Sequence, residues 1–142
     1  MDNKGFTLRK RLRSFGYAFR GLRLLCRGDN ARIQLAVALA AVGMAWWLHC
    51  SATEWALILV CMGGVLGGEA FNTALEALAD RVSPQFDPLI GRAKDLAAGA
   101  VLLWALVSTG VGLLIFLPKL LAQAACNSKE KLKWTKITNK KT

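Results

Sequence analysis

Apolar residues in this chain come in three long blocks: Ile33 to about Cys50, a run opening at Trp55, and Leu96 to Leu117. A helix crosses a bilayer with about 17–25 mostly apolar residues, and each block is long enough. The pattern predicts an all-α membrane protein with a three-span core over residues 31–121. Ahead of the core, Phe6, Leu8, Leu12, Phe15, Phe19, Leu22 and Leu25 recur mostly every three or four residues, with Lys4, Arg9, Lys10, Arg11 and Arg13 among them. That spacing predicts an N-terminal amphipathic helix within residues 1–30, lying in the membrane interface. Gly28-Asp29-Asn30 breaks it, and Asp29 or Asn30 is suited to cap the next helix.

The first span ends in Trp46-Trp47, which suit the headgroup level, and the lone His49 beside them is read as interfacial. Ser51 to Glu54 makes a short turn, with Thr53 as the expected cap of the second span. Inside that span Gly63, Gly64, Gly67 and Gly68 repeat at i, i+4, a spacing that lets helix backbones approach closely in a membrane. A phosphate-binding loop is excluded, because no Gly-Lys-Ser/Thr follows. Arg81 to Pro88 is a loop broken by Pro84 and Pro88, with Asp87 as cap and Pro88 as first residue of the third span. Residues 122–142 are Lys-rich and lack an apolar face, so a disordered tail is expected there.

Composition agrees with the pattern. The chain has 142 residues, 54% hydrophobic, and a formal net charge of +10; its mean hydropathy is +0.36. The length suits one domain. The basic excess sits beside spans and in the tail, where it meets anionic headgroups, so nucleic acid is excluded as partner. Cys26, Cys50, Cys61 and Cys126 form no CxxC pair. They are read as small apolar fillers, not as a zinc site or a disulfide framework. The arm and the Arg81–Lys94 stretch carry basic residues and the Ser51–Glu54 turn carries none, which predicts N-in and C-out. The tail lysines run against that bias, but amino-terminal signals usually dominate.

One stretch departs from the apolar pattern. Asn72, Glu76 and Asp80 all fall within about 60° of Glu69 at ~100° per residue. Ionisable groups in a spanning helix are costly and usually functional. This stripe is the active-site candidate. With N-in topology it lies at the cytoplasmic end of the second span, facing Arg92, Lys94 and Asp95 at the start of the third. Carboxylates, an amide and a lysine at an interface meet the needs of phosphoryl transfer. Oxygen ligands hold a divalent ion, a lysine offsets phosphoryl charge, and a carboxylate accepts the proton of an attacking hydroxyl. Glu69 lies about two turns deeper than Glu76, so Glu69 would meet a lipid hydroxyl while Glu76 meets the nucleotide. Two other readings stand beside this one: a polar seam that glues helices together, and a small ion- or proton-conducting oligomer with carboxylates along its pathway.

The run Glu69-Ala-Phe-Asn72-Thr73-Ala-Leu-Glu76-Ala-Leu-Ala-Asp80, followed by Gly91-Arg92-Ala93-Lys94-Asp95, closely resembles the signature of the prokaryotic diacylglycerol kinase family, which includes undecaprenol kinases. The likeness covers about residues 5 to 120, including Gly16-Tyr17-Ala18-Phe19-Arg20-Gly21-Leu22. It implies a homotrimeric kinase of the bacterial inner membrane that uses magnesium and ATP in sites shared between subunits and opening to the cytoplasm. Carried over by position, it implies Glu69 as base and lipid contact, with Asn72 and Asp80 completing the catalytic set. Glu76 is implied as metal and nucleotide ligand, Asp29 as the second metal ligand where the family has glutamate, and Tyr17, Lys94 and Asp95 as nucleotide contacts. Arg9 or Lys10 is implied as a basic substrate contact. Ser83-Pro84, Pro88-Leu89, Ala97 to Leu102 and Phe116 to Lys119 resemble the undecaprenol kinase branch. Gly5-Phe6-Thr7, Leu22-Arg23 and Gly91 to Asp95 resemble the diacylglycerol kinase branch. The latter motifs lead to diacylglycerol as the first expectation and undecaprenol as its alternative.

Overall fold

A computed structural model describes residues 8–85 and 87–138; the side chains of residues 8–11, 130 and 132–138 fall outside that description. Four helices follow one another: α1 Leu8–Leu25, α2 Asp29–Trp47, α3 Ala52–Val82 and α4 Pro88–Thr138. The described part of the expected amphipathic arm is thus helical, and each expected span has its helix.

The helix ends differ from expectation in two places. Gly28 occupies the N-cap of α2 and no side chain caps it. Asp29 is already helical, and its carboxylate sits near the positive helix end, 3.7 Å from Arg32. Ser51, not Thr53, caps α3: its hydroxyl accepts from Glu54 N, and Glu54 Oε2 accepts from Ser51 N at 2.6 Å. A capping box needs an acid three residues on; Ser51 has Glu54 there, whereas Thr53 has Ala56. Asp87 caps α4 as expected, its Oδ1 accepting from Leu89 N at 2.8 Å and Ile90 N at 3.3 Å.

At the end of α2, His49 has φ 50°. Cys50 N donates to Ala45 O and His49 N to Trp46 O, the two bonds of a Schellman turn whose left-handed residue is His49. The residue read as interfacial therefore turns the backbone toward α3.

The segment expected as a disordered tail is, through Thr138, a continuation of α4. Beyond Pro118 it contains no Gly or Pro and is rich in Lys, Leu and Ala, all good helix formers. A long helix needs no apolar face of its own when it extends an established one.

α3 and α4 pack most closely, then α2 on α3. Gly64 is one reason: a β-carbon there would run into the Trp104 ring, while one at Gly68 would meet Val101 at 3.7 Å. Gly63 and Gly67 face open space, so only half of the glycine run serves the α3–α4 contact. Along α2 the buried residues are Ala31, Ala38 and Ala45, a stripe of small side chains repeating every seventh residue. Ala45, Ile58 and Ile115 form a thin core with Met62, Val111 and Phe116 against it. Large apolar side chains point outward instead, Phe71 at 81% exposure and Leu114 at 79% among them. Such a surface needs lipid or protein around it. Of the four cysteines, Cys50 and Cys61 are half-buried fillers, whereas Cys26 and Cys126 are exposed; all are free thiols.

Among the described residues two helices are long and apolar enough to cross a membrane, Ala52–Val82 and the Pro88–Lys129 part of α4. α2 falls short by composition, because Asp29, Asn30, Arg32 and Gln34 occupy its opening turns.

Candidate active site

The stripe on α3 forms as expected, and its members divide by burial. Glu69 is 5% exposed and Asn72 6%; Glu76 is half-buried and Asp80 exposed. The stripe therefore runs from a dry end to a wet one. A buried carboxylate needs hydrogen bonds to remain tolerable. Glu69 finds one in Gln34 on α2, whose Nε2 donates to Glu69 Oε2 at 3.1 Å. Gln34 escaped the sequence reading. It lies 35 residues from Glu69, and only the packing of α2 on α3 brings the two together.

One turn up, Asn72 Nδ2 donates to Glu76 Oε1 at 3.1 Å. This bond spans i and i+4, the spacing at which helix side chains meet. At the wet end, Lys94 Nζ lies 2.9 Å from Asp80 Oδ1, fastening the start of α4 to the end of α3. The order along the stripe is thus Gln34–Glu69, Asn72–Glu76, Lys94–Asp80. Two buried oxygens, Gln34 Oε1 and Asn72 Oδ1, have no hydrogen-bond partner among the described residues. Such atoms are rare and cost stability unless something else meets them.

The remaining candidates do not join this cluster within one chain. Asp29 is exposed and pairs with Arg32 on its own helix. Tyr17 is exposed on α1 with the Arg20 guanidinium 5.1 Å above its ring. Asp95 lies one position beyond Lys94, on a different face of α4, where it lines a shallow hollow with Arg92, Leu96 and Gly99. The backbone of Arg9 and Lys10 belongs to α1, but their side chains fall outside the described residues. Among the described residues no three His, Cys, Asp or Glu side chains converge as a complete metal site.

Beneath Gln34 and Glu69, away from Asp80, an apolar groove of about 370 Å³ opens between α2, α3 and α4. Ser108 and Thr109 line it, yet their hydroxyls donate to Trp104 O and Ala105 O on the preceding turn.

The sequence profile described as prokaryotic diacylglycerol kinase matches residues 16–116. Undecaprenol kinase of Bacillus subtilis is 38% identical over 123 residues, covering 84% of this chain and 100% of that protein. Diacylglycerol kinase of Escherichia coli K12 is 36% identical over 108 residues, covering 75% of this chain and 87% of that protein. The matched stretch holds the whole α3 stripe and Lys94.

Proposed function

This chain belongs to the prokaryotic diacylglycerol kinase family, and on that premise we propose how its residues divide the work of an ATP-dependent lipid kinase. Glu69 is the base. Its buried carboxylate takes the proton of a lipid primary hydroxyl as the hydroxyl oxygen attacks the γ-phosphorus of ATP; the bond to the bridging oxygen breaks and ADP leaves. The observation that carries this reading is the Gln34 bond to one oxygen of Glu69, which orients the carboxylate while leaving its other oxygen for the substrate.

Glu76 and Asn72 suit a magnesium ion. Asn72 Oδ1 is a buried oxygen without a partner, it lies beside a carboxylate, and hard oxygen donors are what this ion prefers. Bound there, magnesium would neutralise charge on the nucleotide phosphates. Asp29 is the proposed second carboxylate. Lys94, held by Asp80, offsets phosphoryl charge, and Tyr17, Asp95 and Arg9 or Lys10 complete the nucleotide and substrate contacts.

Since Asp29, Tyr17 and Asp95 stand apart from the stripe within one chain, we infer sites completed by neighbouring subunits of a homotrimer. Three spans, α2 to α4, with N-in and C-out, put the stripe on the cytoplasmic side of the bacterial inner membrane. The acceptor is diacylglycerol or, as its alternative, undecaprenol; both present a primary hydroxyl, and the two relatives are named for these lipids.

The test is transfer in mixed micelles from labelled ATP, with magnesium, to diacylglycerol or undecaprenol supplied separately. Label is expected in one of the lipids, and Glu69→Gln abolishes it while the oligomer stays intact. Loss of assembly in that variant would favour a polar seam instead. Absence of transfer together with proton flux in liposomes would favour the conducting oligomer.

A further inference from the structure

α4 continues past the matched residues 16–116 as far as Thr138. It leaves the α3–α4 hairpin at the end opposite the stripe, where Lys119 Nζ lies 3.1 Å from Glu54 Oε2. The kinase chemistry leaves this extension unused, yet it is strongly basic. From Asn127 to Thr142 there are six lysines and a single acid, Glu130. Three of the lysines share a face. Lys129, Lys133 and Lys136 follow at i, i+4 and i+7 on the α4 backbone, within about 60° of one another, and Lys129 is exposed. We propose that this stripe docks the extension on the anionic lipid headgroups of the bilayer from which α4 emerges.

Charge selects that partner. Bilayer phosphates are the anions nearest to a helix that has just left the hydrocarbon, and lysines close to such a surface are drawn to it. An apolar partner is not selected. Leu132, Trp134 and Ile137 stand at positions that span roughly 200° of the helix, so they form no common seam. A second copy would bring lysine against lysine. Contact requires the extension to lean. Standing upright, it would carry Lys129 about 15 Å and Lys136 about 26 Å past Lys119, beyond the ~8 Å over which charge acts at physiological salt. The chain provides two places to bend. Pro118 removes the helical bond to the carbonyl of Leu114, and Asn127-Ser128 are weaker helix formers than the leucines, alanines and lysines around them. The attachment is electrostatic, so salt releases it.

The test uses the full chain in nanodiscs, with Cys26, Cys50 and Cys61 replaced by alanine and a fluorophore on Cys126, which is exposed and precedes the lysine stripe. A nitroxide on a fixed fraction of lipid headgroups quenches the label when the extension lies down. Discs of phosphatidylcholine alone are compared with discs that also contain phosphatidylglycerol. Three lysines near an anionic surface should multiply the docked-to-upright ratio by roughly a hundredfold. This is read as extra quenching in the phosphatidylglycerol discs that roughly 1 M salt abolishes. Each lysine changed to glutamine should take back about fivefold, and Lys129→Gln, Lys133→Gln and Lys136→Gln together should remove the lipid contrast. Equal quenching in both discs overturns the proposal, as does a contrast that survives the triple change. A label that ignores the lipid but responds to an added oligonucleotide assigns the stripe to nucleic acid and overturns it too. The contrast is read without ATP or substrate, so it stands or falls apart from phosphoryl transfer.

Discussion

At Glu69 a carboxylate is kept from water and given one donor, the amide of Gln34 at 3.1 Å. A base that must receive a proton at one oxygen gains from having the other fixed, since small displacements of a reacting group are costly in rate. Gln34→Leu keeps the bulk and removes the donor. It should lower kcat by about a hundredfold and leave the ATP KM unmoved; steady-state kinetics with both substrates varied would check it, and an unchanged kcat would dismiss the bond as incidental. Glu76→Gln tests the neighbouring pair. A glutamine oxygen can still accept from Asn72, but the anionic ligand is gone, so the magnesium concentration for half-maximal rate should rise at least about tenfold. An unaltered magnesium dependence would remove Glu76 from the ligand set. Residues of the α3 stripe were legible from sequence because helix geometry alone aligns them. Gln34 was not, since its partnership exists only after α2 has docked, and no periodicity within either helix marks it.

The elements repeat that division. α1 and α3 follow from their apolar spacing, and the start of α4 from Asp87-Pro88, because each signal is local. Ser51 was legible in principle through Ser51-x-x-Glu54, a box that outranks Thr53. The extension of α4 to Thr138 was missed because composition without an apolar face was read as disorder, whereas a helix already nucleated propagates through good formers at little cost. The glycine run predicted close packing without saying toward which neighbour. The structure divides it: Gly64 faces Trp104, and Gly63 faces open space. Gly64→Ile should therefore destabilise the α3–α4 hairpin by about 1–3 kcal/mol through overpacking. Gly63→Ile should leave the hairpin's melting midpoint nearly unchanged. Thermal unfolding of the two variants in the same detergent compares them, and equal losses would show that Gly63 has a close neighbour of its own.

Across the whole molecule, two ion pairs close the α3–α4 hairpin at opposite ends, Asp80–Lys94 at 2.9 Å and Glu54–Lys119 at 3.1 Å. From Glu54 to Asp80 α3 rises roughly 39 Å, close to the ~40–45 Å of a bilayer with its headgroups. Each pair thus falls where charged groups can reach water, and Glu54 offsets one basic charge at the end opposite the α3 stripe. Whether α2 also crosses decides the topology. Its 19 residues span about 28 Å, enough for the hydrocarbon layer, and its polar opening turns reach the stripe through Gln34. The protein carries its own reporters, because Cys26 precedes α2 and Cys126 lies beyond Pro118, both exposed. With three crossings they stand on opposite faces; with two they share one. Cys61 lines the groove, and burial, with Glu54 acting the same way, pushes the Cys50 thiol up, so neither competes well for a maleimide, which reacts with thiolate. In sealed right-side-out vesicles, a membrane-impermeant maleimide should label the variant keeping Cys126 alone and spare the one keeping Cys26 alone until detergent is added. Labelling of both or of neither before detergent would mean an even number of crossings and overturn the three-span arrangement.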